Sequence, residues 1–233
     1  MIIYLDTETN GLDSEEDDVL EISIIDDEGT ILLDTLCSPI KQTSWPQAEG
    51  IHGITPAMCA GYPTLVDLMP QIAEIFYQYS DLVIYNSTFD LSFIVKAASA
   101  ANVELPSITH HCAMQDFMEA VHCNRWQKLT VAAAVAGHEW TGEAHRALAD
   151  AQACRGVWRW LRDRQQTREA AKNLTHADLA SIDLDAVLES LEDSAAEQGV
   201  DGYLSNLTWT QRENLQAILN KCLVDWLNAN LPR

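Results

Sequence analysis

Apolar and polar residues follow one another in short runs along the first part of the chain and predict a series of strands. Residues 2–6 form an apolar run that ends in an acid, the pattern of a buried strand. In residues 19–25 apolar and polar side chains alternate, as in a half-buried strand. Turn residues at 26–29 precede a third apolar run at 31–37. Strands separated by such short connections predict an antiparallel meander.

Helical spacing follows the meander. Thr64 and Asp67 have the pattern of a capping box, and the apolar residues after them recur at helical intervals. Residues 82–85 predict a short buried strand that leads into another helix. The remaining predicted elements are a strand at 108–112, helices at 114–121 and 131–136, and a long helix from about 144 to 172. This order predicts a mixed α/β fold with helices over the sheet.

Residues 173–233 differ in character from the rest of the chain. Six of the fourteen basic residues lie from Arg155 to Lys172, whereas no Lys or Arg occurs in residues 173–211. Residues 173–233 contain two amphipathic helical patterns, at 179–191 and 215–227, and their apolar stripes must be buried against something. We therefore predict a domain at 1–172 and a helical C-terminal appendage. We expect the appendage to dock on its own chain, with a homodimer or a protein partner as the alternatives.

Length and composition indicate a folded protein with a substantial core. The chain has 233 residues, of which 47% are hydrophobic and seven are tryptophan. It contains no run of eighteen apolar residues and no basic segment before a hydrophobic stretch, so we expect neither a membrane span nor a signal peptide. The six cysteines show no CxxC spacing, which is typical of reduced thiols in a cytoplasmic protein.

The first candidate chemistry lies at the end of the first strand. Asp6 and Glu8 are two residues apart, so their side chains project from the same face of a strand. Like charges about 4 Å apart repel by ~1 kcal/mol in water and by ~4 kcal/mol at an effective dielectric constant of about 20. The pattern predicts a divalent cation between the two carboxylates, with a solvated acidic strand end as the alternative. Asn10 and Gly11 then form a turn that leaves Leu12 at the mouth of the site.

Two further acidic segments carry candidate chemistry, and each has an ordinary structural alternative. Asp90 lies where a buried strand leads into a helix, and an acid at a helix N-terminus is favoured without any catalytic role. His145 and Asp150 lie at the start of the long helix. There, Arg146 and Asp150 have the spacing of an intrahelical ion pair, with His145 merely exposed.

A segment rich in histidine and cysteine offers zinc binding as a further alternative. Its spacing matches no zinc finger, so we expect its side chains to belong to a strand and a helix of the core. The residues concerned are His110, His111, Cys112, His122 and Cys123.

Three segments together resemble the motifs of the DEDDh exonucleases, a family with the ribonuclease-H-like fold. They are DTETNGL at 6–12, YNSTFD at 85–90 and HRALADA at 145–151. IHGIT at 51–55 resembles the family's segment between the first two motifs, and a histidine five residues before the last acid marks the histidine branch. The resemblance covers residues 1 to about 161. It implies a mixed five-stranded sheet with helices on both faces.

The resemblance also implies a role for each matched residue. Two Mg²⁺ or Mn²⁺ ions would be bound by Asp6, Glu8, Asp90 and Asp150, with Glu8 counted among the catalytic residues. Such a pair of ions stabilises both the attacking and the leaving oxygen of a phosphoryl displacement. His145 would take the proton from the attacking water, since an unperturbed histidine with a pKa of about 6.5 is largely neutral at pH 7–8.

Further residues are implied as contacts of the substrate. Leu12 matches an apolar residue that wedges against the terminal base, and Phe89 stands where an aromatic ring would stack. Ordinary core packing is the alternative for both. The remaining candidates are Thr9, His52, Ile54 and Asn86.

The implied activity is hydrolysis at the 3′ end of single-stranded nucleic acid, releasing nucleoside 5′-monophosphates. DNA is the favoured substrate, and short oligoribonucleotides are the alternative within the enzyme class. The alternative from another class is a non-catalytic adaptor that binds a protein partner through its acidic surface and C-terminal helices. The complete set of four carboxylates and a histidine favours the enzyme, because an adaptor has no use for them.

The net charge of −21 limits how such an enzyme holds nucleic acid. The first 95 residues contain one basic side chain, Lys41. Affinity for a phosphate backbone rises with the number of phosphates that basic residues neutralise. We therefore expect a grip on only a short stretch of nucleic acid, or affinity borrowed from a partner.

Overall fold

Five strands and seven helices make up the described part of this computed structural model, which is residues 1–140 and 145–172 without the side chains of 167, 168 and 170–172. The strands are β1 (Ile2–Thr9), β2 (Val19–Asp26), β3 (Ile31–Leu36), β4 (Asp81–Ile84) and β5 (Thr109–Cys112). The helices are α1 (Pro46–His52), α2 (Pro56–Cys59), α3 (Leu65–Gln78), α4 (Ser87–Ala101), α5 (Ala113–Ala120), α6 (Leu129–Val135) and α7 (Ala147–Lys172).

The strands form one mixed sheet in the order β3-β2-β1-β4-β5. β1 pairs antiparallel with β2, and β2 pairs antiparallel with β3, which confirms the predicted meander. On the other side β1 pairs parallel with β4, and β4 pairs parallel with β5. Because β1 and β4 run in the same direction, the residues that follow their C-terminal ends meet at one edge of the sheet.

Helices cover both faces of this sheet, as predicted. On one face Ile3 and Leu5 of β1 pack with apolar residues of α3 and α4. On the other face Tyr4 and Val83 pack with residues of α5, α6 and α7. The strand alternation that separates Tyr4 from its neighbours also sends Asp6 and the residues level with it toward the face that carries α7. The mixed α/β, ribonuclease-H-like architecture is confirmed.

Several element boundaries differ from the predictions. β1 continues to Thr9 because Thr7, Glu8 and Thr9 still pair with β2, so the first acids lie inside the strand rather than at its end. No element was predicted for residues 46–59, yet they contain α1 and α2, and each of these helices begins at a proline. The fixed φ of proline favours the first position of a helix, where its missing N–H costs nothing. The capping box of Thr64 and Asp67 is confirmed.

The chain divides into two compact units, Met1–Asp163 and Arg164–Arg233, and the candidate site belongs to the first. The predicted appendage, residues 173–233, and its expected docking lie outside the described residues. Within the described ranges, no helix is long and apolar enough to cross a membrane. The cysteines described there are all free thiols: Cys37, Cys59, Cys112, Cys123 and Cys154.

Candidate active site

The two acids of β1 lie on one face of the central strand. Strand alternation places Asp6 and Glu8 together and turns Thr7 toward the opposite face. There the Thr7 hydroxyl donates a hydrogen bond to Oδ1 of Asp90 at 2.7 Å. One short stretch of strand therefore supplies two carboxylates and fixes the orientation of a third.

Asp90 is held in the first turn of α4, and its side chain is buried. A helix N-terminus stabilises a carboxylate, so the structural alternative accounts for an acid here. It does not account for the side chain pointing toward β1, where it contacts Thr7 and lies close enough to raise the pKa of Asp6. The burial of Asp90 against other acids is the arrangement expected of a shared site.

The third segment brings His145 and Asp150 to the same place. Asp150 lies in the first turn of α7, and its Oδ1 accepts a hydrogen bond from the backbone N–H of His145 at 3.2 Å. His145 has a left-handed backbone with φ of 65°, an uncommon conformation for a residue other than glycine. One ligand atom each from Glu8, His145 and Asp150 lies within 4.8 Å of the others.

Burial and mutual repulsion make all four carboxylates easier to protonate than free acids. Burial, and then the charges of Asp90 and Asp150, raise the pKa of Asp6 well above its usual range. Burial, followed by the charge of Asp150, raises the pKa of Glu8 to about 8. Burial raises the pKa of Asp90 to about 7, against the lowering effect of the Thr7 hydroxyl. The pKa of Asp150 also rises by burial, against the hydrogen bond from His145. This site attracts positive charge.

A fifth acid, Glu21, lies beside the site, although none of the three motifs contains it. It is buried on β2 directly opposite Glu8. Arg146 Nε donates to Glu21 Oε2 at 3.0 Å, and the backbone N–H of Ala147 donates to the same oxygen at 2.9 Å. The partner of Arg146 is therefore Glu21, not Asp150 as the structural alternative proposed. A buried-strand pattern interrupted by an acid on the face of Glu8 is the sequence signal that points to it.

The predicted substrate contacts fall into two groups, and the first group lies open to solvent or partly so. Leu12 is 85% exposed. Phe89 is partly buried, and its ring packs against Phe93 with centroids 5.2 Å apart. Asn86 is the N-cap residue of α4 and is partly buried. These three positions remain available to a ligand.

The second group is enclosed by the fold. Ile54 has no exposed surface and packs with Trp45 and Leu20, so its side chain reaches no ligand in this conformation. His52 is buried, with Nε2 3.2 Å from the carbonyl oxygen of Thr9 and Nδ1 accepting the N–H of Ile54. Thr9 is itself buried. The IHGIT segment thus contacts the backbone of the first motif through the His52 side chain.

The histidines and cysteines considered for zinc do not come together. Among the described residues, the one group of three or more metal-binding side chains is that of Glu8, His145 and Asp150. His111 instead contacts Asp81, and the thiol of Cys112 contacts the carbonyl of Tyr85. His110, His111 and Cys112 belong to β5, whereas His122 and Cys123 follow α5. None of the five is fully buried, and His110 and His122 are exposed, so the expected place in the core is wrong.

Comparison with known proteins identifies the family. Residues 3–157 match the sequence model of a family described as exonuclease. The uncharacterized exonuclease CP81 of Escherichia phage 186 is 35% identical over 167 residues, which cover 66% of this chain and 84% of that protein. The PolC-type DNA polymerase III of Thermotoga maritima is 30% identical over 112 residues, 46% of this chain and only 8% of the polymerase.

Solved structures share the fold. Exonuclease X in complex with 5′ overhanging duplex DNA has a TM-score of 0.53 and 24% identity, over 72% of this chain and 92% of that chain. The zinc-bound complex of E. coli exonuclease I with single-stranded DNA has a TM-score of 0.60 and 18% identity, over 73% of this chain and 42% of that one. The family match and the phage relative set the adaptor alternative aside. This chain belongs to the exonuclease family, as a DEDDh-type nuclease with the ribonuclease-H-like fold.

Proposed function

We propose that this protein removes nucleoside 5′-monophosphates from the 3′ end of single-stranded nucleic acid, with DNA as the favoured substrate. The observation that carries the proposal is the proximity of Glu8, His145 and Asp150, with ligand atoms within 4.8 Å of one another. Asp6 and Asp90 lie close to these residues, since besides burial the charge of Asp150 raises the pKa of both. DNA is favoured because the structures similar in fold include complexes with single-stranded and 5′ overhanging DNA.

The donor set fits two hard divalent cations, Mg²⁺ or Mn²⁺. Asp6, Glu8, Asp90 and Asp150 offer carboxylate oxygens, the ligands that such ions prefer. The repulsion that raises the pKa values of these acids is relieved by bound positive charge. When bound, the ions would stabilise the charge on the attacking and leaving oxygens of the phosphodiester.

The protein itself moves the proton. We assign His145 as the general base, because its exposed side chain lies beside Glu8 and Asp150 and its backbone is held by the Asp150 carboxylate. A ring nitrogen of neutral imidazole accepts the proton of the attacking water, which is general base catalysis worth about 10²- to 10⁴-fold. Leu12, exposed after the turn of the first motif, is placed to contact the terminal base.

The test is digestion of labelled single-stranded DNA and RNA, side by side, with the label at either end. We expect nucleoside 5′-monophosphates to appear from the 3′ end in Mg²⁺ or Mn²⁺ and to vanish in excess EDTA. A phosphorothioate at the last 3′ linkage should block the reaction, and the same group at the 5′ end should not. Release from the 5′ end, or full activity in EDTA, would contradict the proposal.

Matched variants separate the roles of the residues. Glu8→Gln should lower the rate by more than about 100-fold, since loss even of an outer partner of a metal ligand costs about 10- to 100-fold. Glu16→Gln, a change of the same kind at an exposed acid, should leave the rate unchanged. His145→Gln should lower kcat by about 10²- to 10⁴-fold without abolishing Mg²⁺ binding. The exposed His110 provides the matched control, His110→Gln.

A further inference from the structure

The loop between α5 and α6 presents basic and aromatic side chains to solvent. Arg125, Trp126 and Lys128 are all exposed, and the Trp126 side chain is exposed to 59%. The other tryptophans with described side chains (Trp45, Trp140, Trp158 and Trp160) are buried or partly buried. An aromatic ring left in solvent between two cations is the composition of surfaces that bind single-stranded nucleic acid.

The two cations of this loop are also free to bind phosphate. Neither Arg125 nor Lys128 makes an ion pair or a side-chain hydrogen bond within the described residues. Six other basic side chains are held by carboxylate or carbonyl oxygens of the protein: Lys41 and Lys96 by loop 14–15, Arg146 by Glu21, and Arg155, Arg159 and Arg162 by Asp27. The chain has a net charge of −21, and among its described side chains this loop is therefore a rare source of unpaired positive charge.

Hydrogen bonds fix the shape of the loop. The Gln127 side chain points inward, and its Nε2 donates to the carbonyl of Arg125 at 3.1 Å and contacts the thiol of Cys123 at 3.2 Å. The hydroxyl of Tyr85 donates to the carbonyl of Gln127 at 2.9 Å. Because these hydrogen bonds already order the loop backbone, the backbone loses little conformational entropy when a ligand binds to the exposed side chains.

The same hydrogen bond from Tyr85 places the loop near the carboxylates. β1 and β4 are parallel, with Tyr4 paired with Val83, and Asp6 and Tyr85 each follow this pair by two residues in the same direction along the chain. Tyr85, Val83 and Tyr4 belong to the same apolar cluster, on the face toward which Asp6 also projects. The Tyr85 side chain therefore links the loop to the C-terminal end of β4, the strand beside the one that carries Asp6.

We propose that Arg125, Trp126 and Lys128 form a subsite for the single strand on the 5′ side of the nucleotide being removed. Trp126 stacks on a base, and the two cations contact phosphates on either side of it. The inference rests on the proposed function, since it takes the scissile phosphate to lie at the carboxylates. It also identifies how so acidic a protein holds a polyanion, through a short grip on a few nucleotides.

The experiment compares a substrate that reaches the subsite with one that does not. The first is a single-stranded DNA of twelve nucleotides, and the second is the 4-nitrophenyl ester of thymidine 5′-monophosphate, which has no base or phosphate on the 5′ side. In the Asp6→Asn background, which prevents cleavage, Trp126→Ala should weaken binding of the oligonucleotide about 5- to 150-fold. With Asp6 intact, Trp126→Ala should leave hydrolysis of the ester unchanged. Arg125→Ala and Lys128→Ala together should reduce the slope of log K against log salt by about 1.4.

Controls on the same chain keep the result specific. Trp126→Phe should retain most of the affinity, because a phenyl ring still stacks. Tyr77→Ala removes an aromatic side chain that is 66% exposed on α3, over the opposite face of the sheet, and should change nothing. Arg159→Ala removes a cation paired with Asp27 and should leave the salt slope unchanged.

The outcomes distinguish this inference from the function on which it rests. If neither substrate is hydrolysed by the wild-type protein, the proposed function is wrong, and the subsite inference is overturned together with it. If both are hydrolysed and Trp126→Ala binds the oligonucleotide as tightly as its parent, the proposed function stands and the subsite is overturned. An equal loss on both substrates would also overturn it, because the defect would then lie at the carboxylates.

Discussion

Single residues in the site are held in environments that oppose their usual charge. Glu8 would be ionised in water near neutral pH, yet burial and Asp150 raise its pKa to about 8. Asp90 has a pKa of about 7 although the Thr7 hydroxyl favours its charged form. A fold that keeps such acids together loses stability by doing so. Binding of a cation, as proposed, would recover that loss.

The first residue-scale prediction concerns Glu8→Gln in protein freed of metal by chelation. A carboxyl whose pKa rises on folding from about 4.3 to about 8 leaves folding unaffected below the unfolded value and costs increasing stability as pH rises to the folded value. The amide removes that cost. The variant should therefore match the wild type at pH 4 and melt at least about 2–4 °C higher at pH 8.5, equivalent to about 1 kcal/mol.

Calorimetry at several pH values makes this measurement. Glu74→Gln, at an exposed acid of α3, provides the control and should give parallel curves for variant and wild type. Added Mg²⁺ should raise the melting temperature of the wild type more than that of Glu8→Gln. A variant that is destabilised at pH 8.5 would show that Glu8 is stabilised by contacts other than those described.

Between elements, the contact of Glu21 with Arg146 joins β2 to the start of α7. The carboxylate accepts from the arginine Nε and from the N–H of Ala147, so it also satisfies a free backbone donor near the helix N-terminus. This contact anchors the segment that contains His145 and Asp150, which lie on either side of Arg146 in sequence. Glu21 is a positioning residue for both.

The element-scale prediction is that Arg146→Met destabilises the protein by about 2–4 kcal/mol. Removing one partner of a buried pair leaves the other charge buried and unpaired, at a usual cost of about 3–5 kcal/mol. The loss is somewhat smaller here because the Arg146 side chain is 40% exposed. The stability of Arg146→Lys should lie between those of the wild type and Arg146→Met. Lysine keeps the positive charge, but its ammonium group lacks the planar fork that matches a carboxylate.

Urea unfolding measures this difference, and hydrolysis of the nitrophenyl ester should fall in parallel as His145 and Asp150 lose their anchor. Arg159→Met is the matched control. Its pair with Asp27 spans 3.8 Å and the arginine is 54% exposed, so the loss should stay below about 1 kcal/mol. Equal losses in the free energy of unfolding for Arg146→Met and Arg159→Met would mean that the buried pair with Glu21 stabilises the protein no more than the exposed pair with Asp27.

At the scale of the whole molecule, the open question is the relation of the residues beyond Lys172 to the domain that carries the candidate site. The described residues contain the complete candidate site, with every proposed ligand between Asp6 and Asp150. The sequence also places a basic segment before residue 173 and an acidic one after it. Those opposite charges favour docking of the appendage on its own chain.

The corresponding prediction is tested by truncation after Lys172. If the appendage docks in cis, the shortened protein should lose solubility or several degrees of melting temperature, because an apolar surface is uncovered. Hydrolysis of the nitrophenyl ester should persist. Light scattering separates the alternatives, since a dimer held by the appendage would halve in mass. An unchanged melting curve and an unchanged oligomeric state would identify the appendage as an independent module for a partner.

The sequence by itself determined the order of the strands and the longer helices, and its resemblance to the DEDDh exonucleases supplied the five residues of the proposed site. Strand and helix periodicities are local properties of the sequence, so β1, β4 and α7 can be predicted from the spacing of apolar residues. The resemblance of three separate segments to the motifs of the DEDDh exonucleases, rather than any periodicity, is why Asp6, Asp90 and Asp150, far apart in sequence, were predicted to meet.

Only the tertiary structure decided which neighbours these residues have. The pairing of Glu21 with Arg146 joins positions 125 residues apart, and no local pattern specifies it. The burial of Ile54 and the inward bonds of His52 depend on a cluster formed with Trp45 and on the backbone of Thr9. The placement of Trp126 depends on the hydrogen bonds that hold its loop, among them the one from Tyr85 to Gln127. Contacts of this kind arise from packing between elements, which periodicity within a single element does not record.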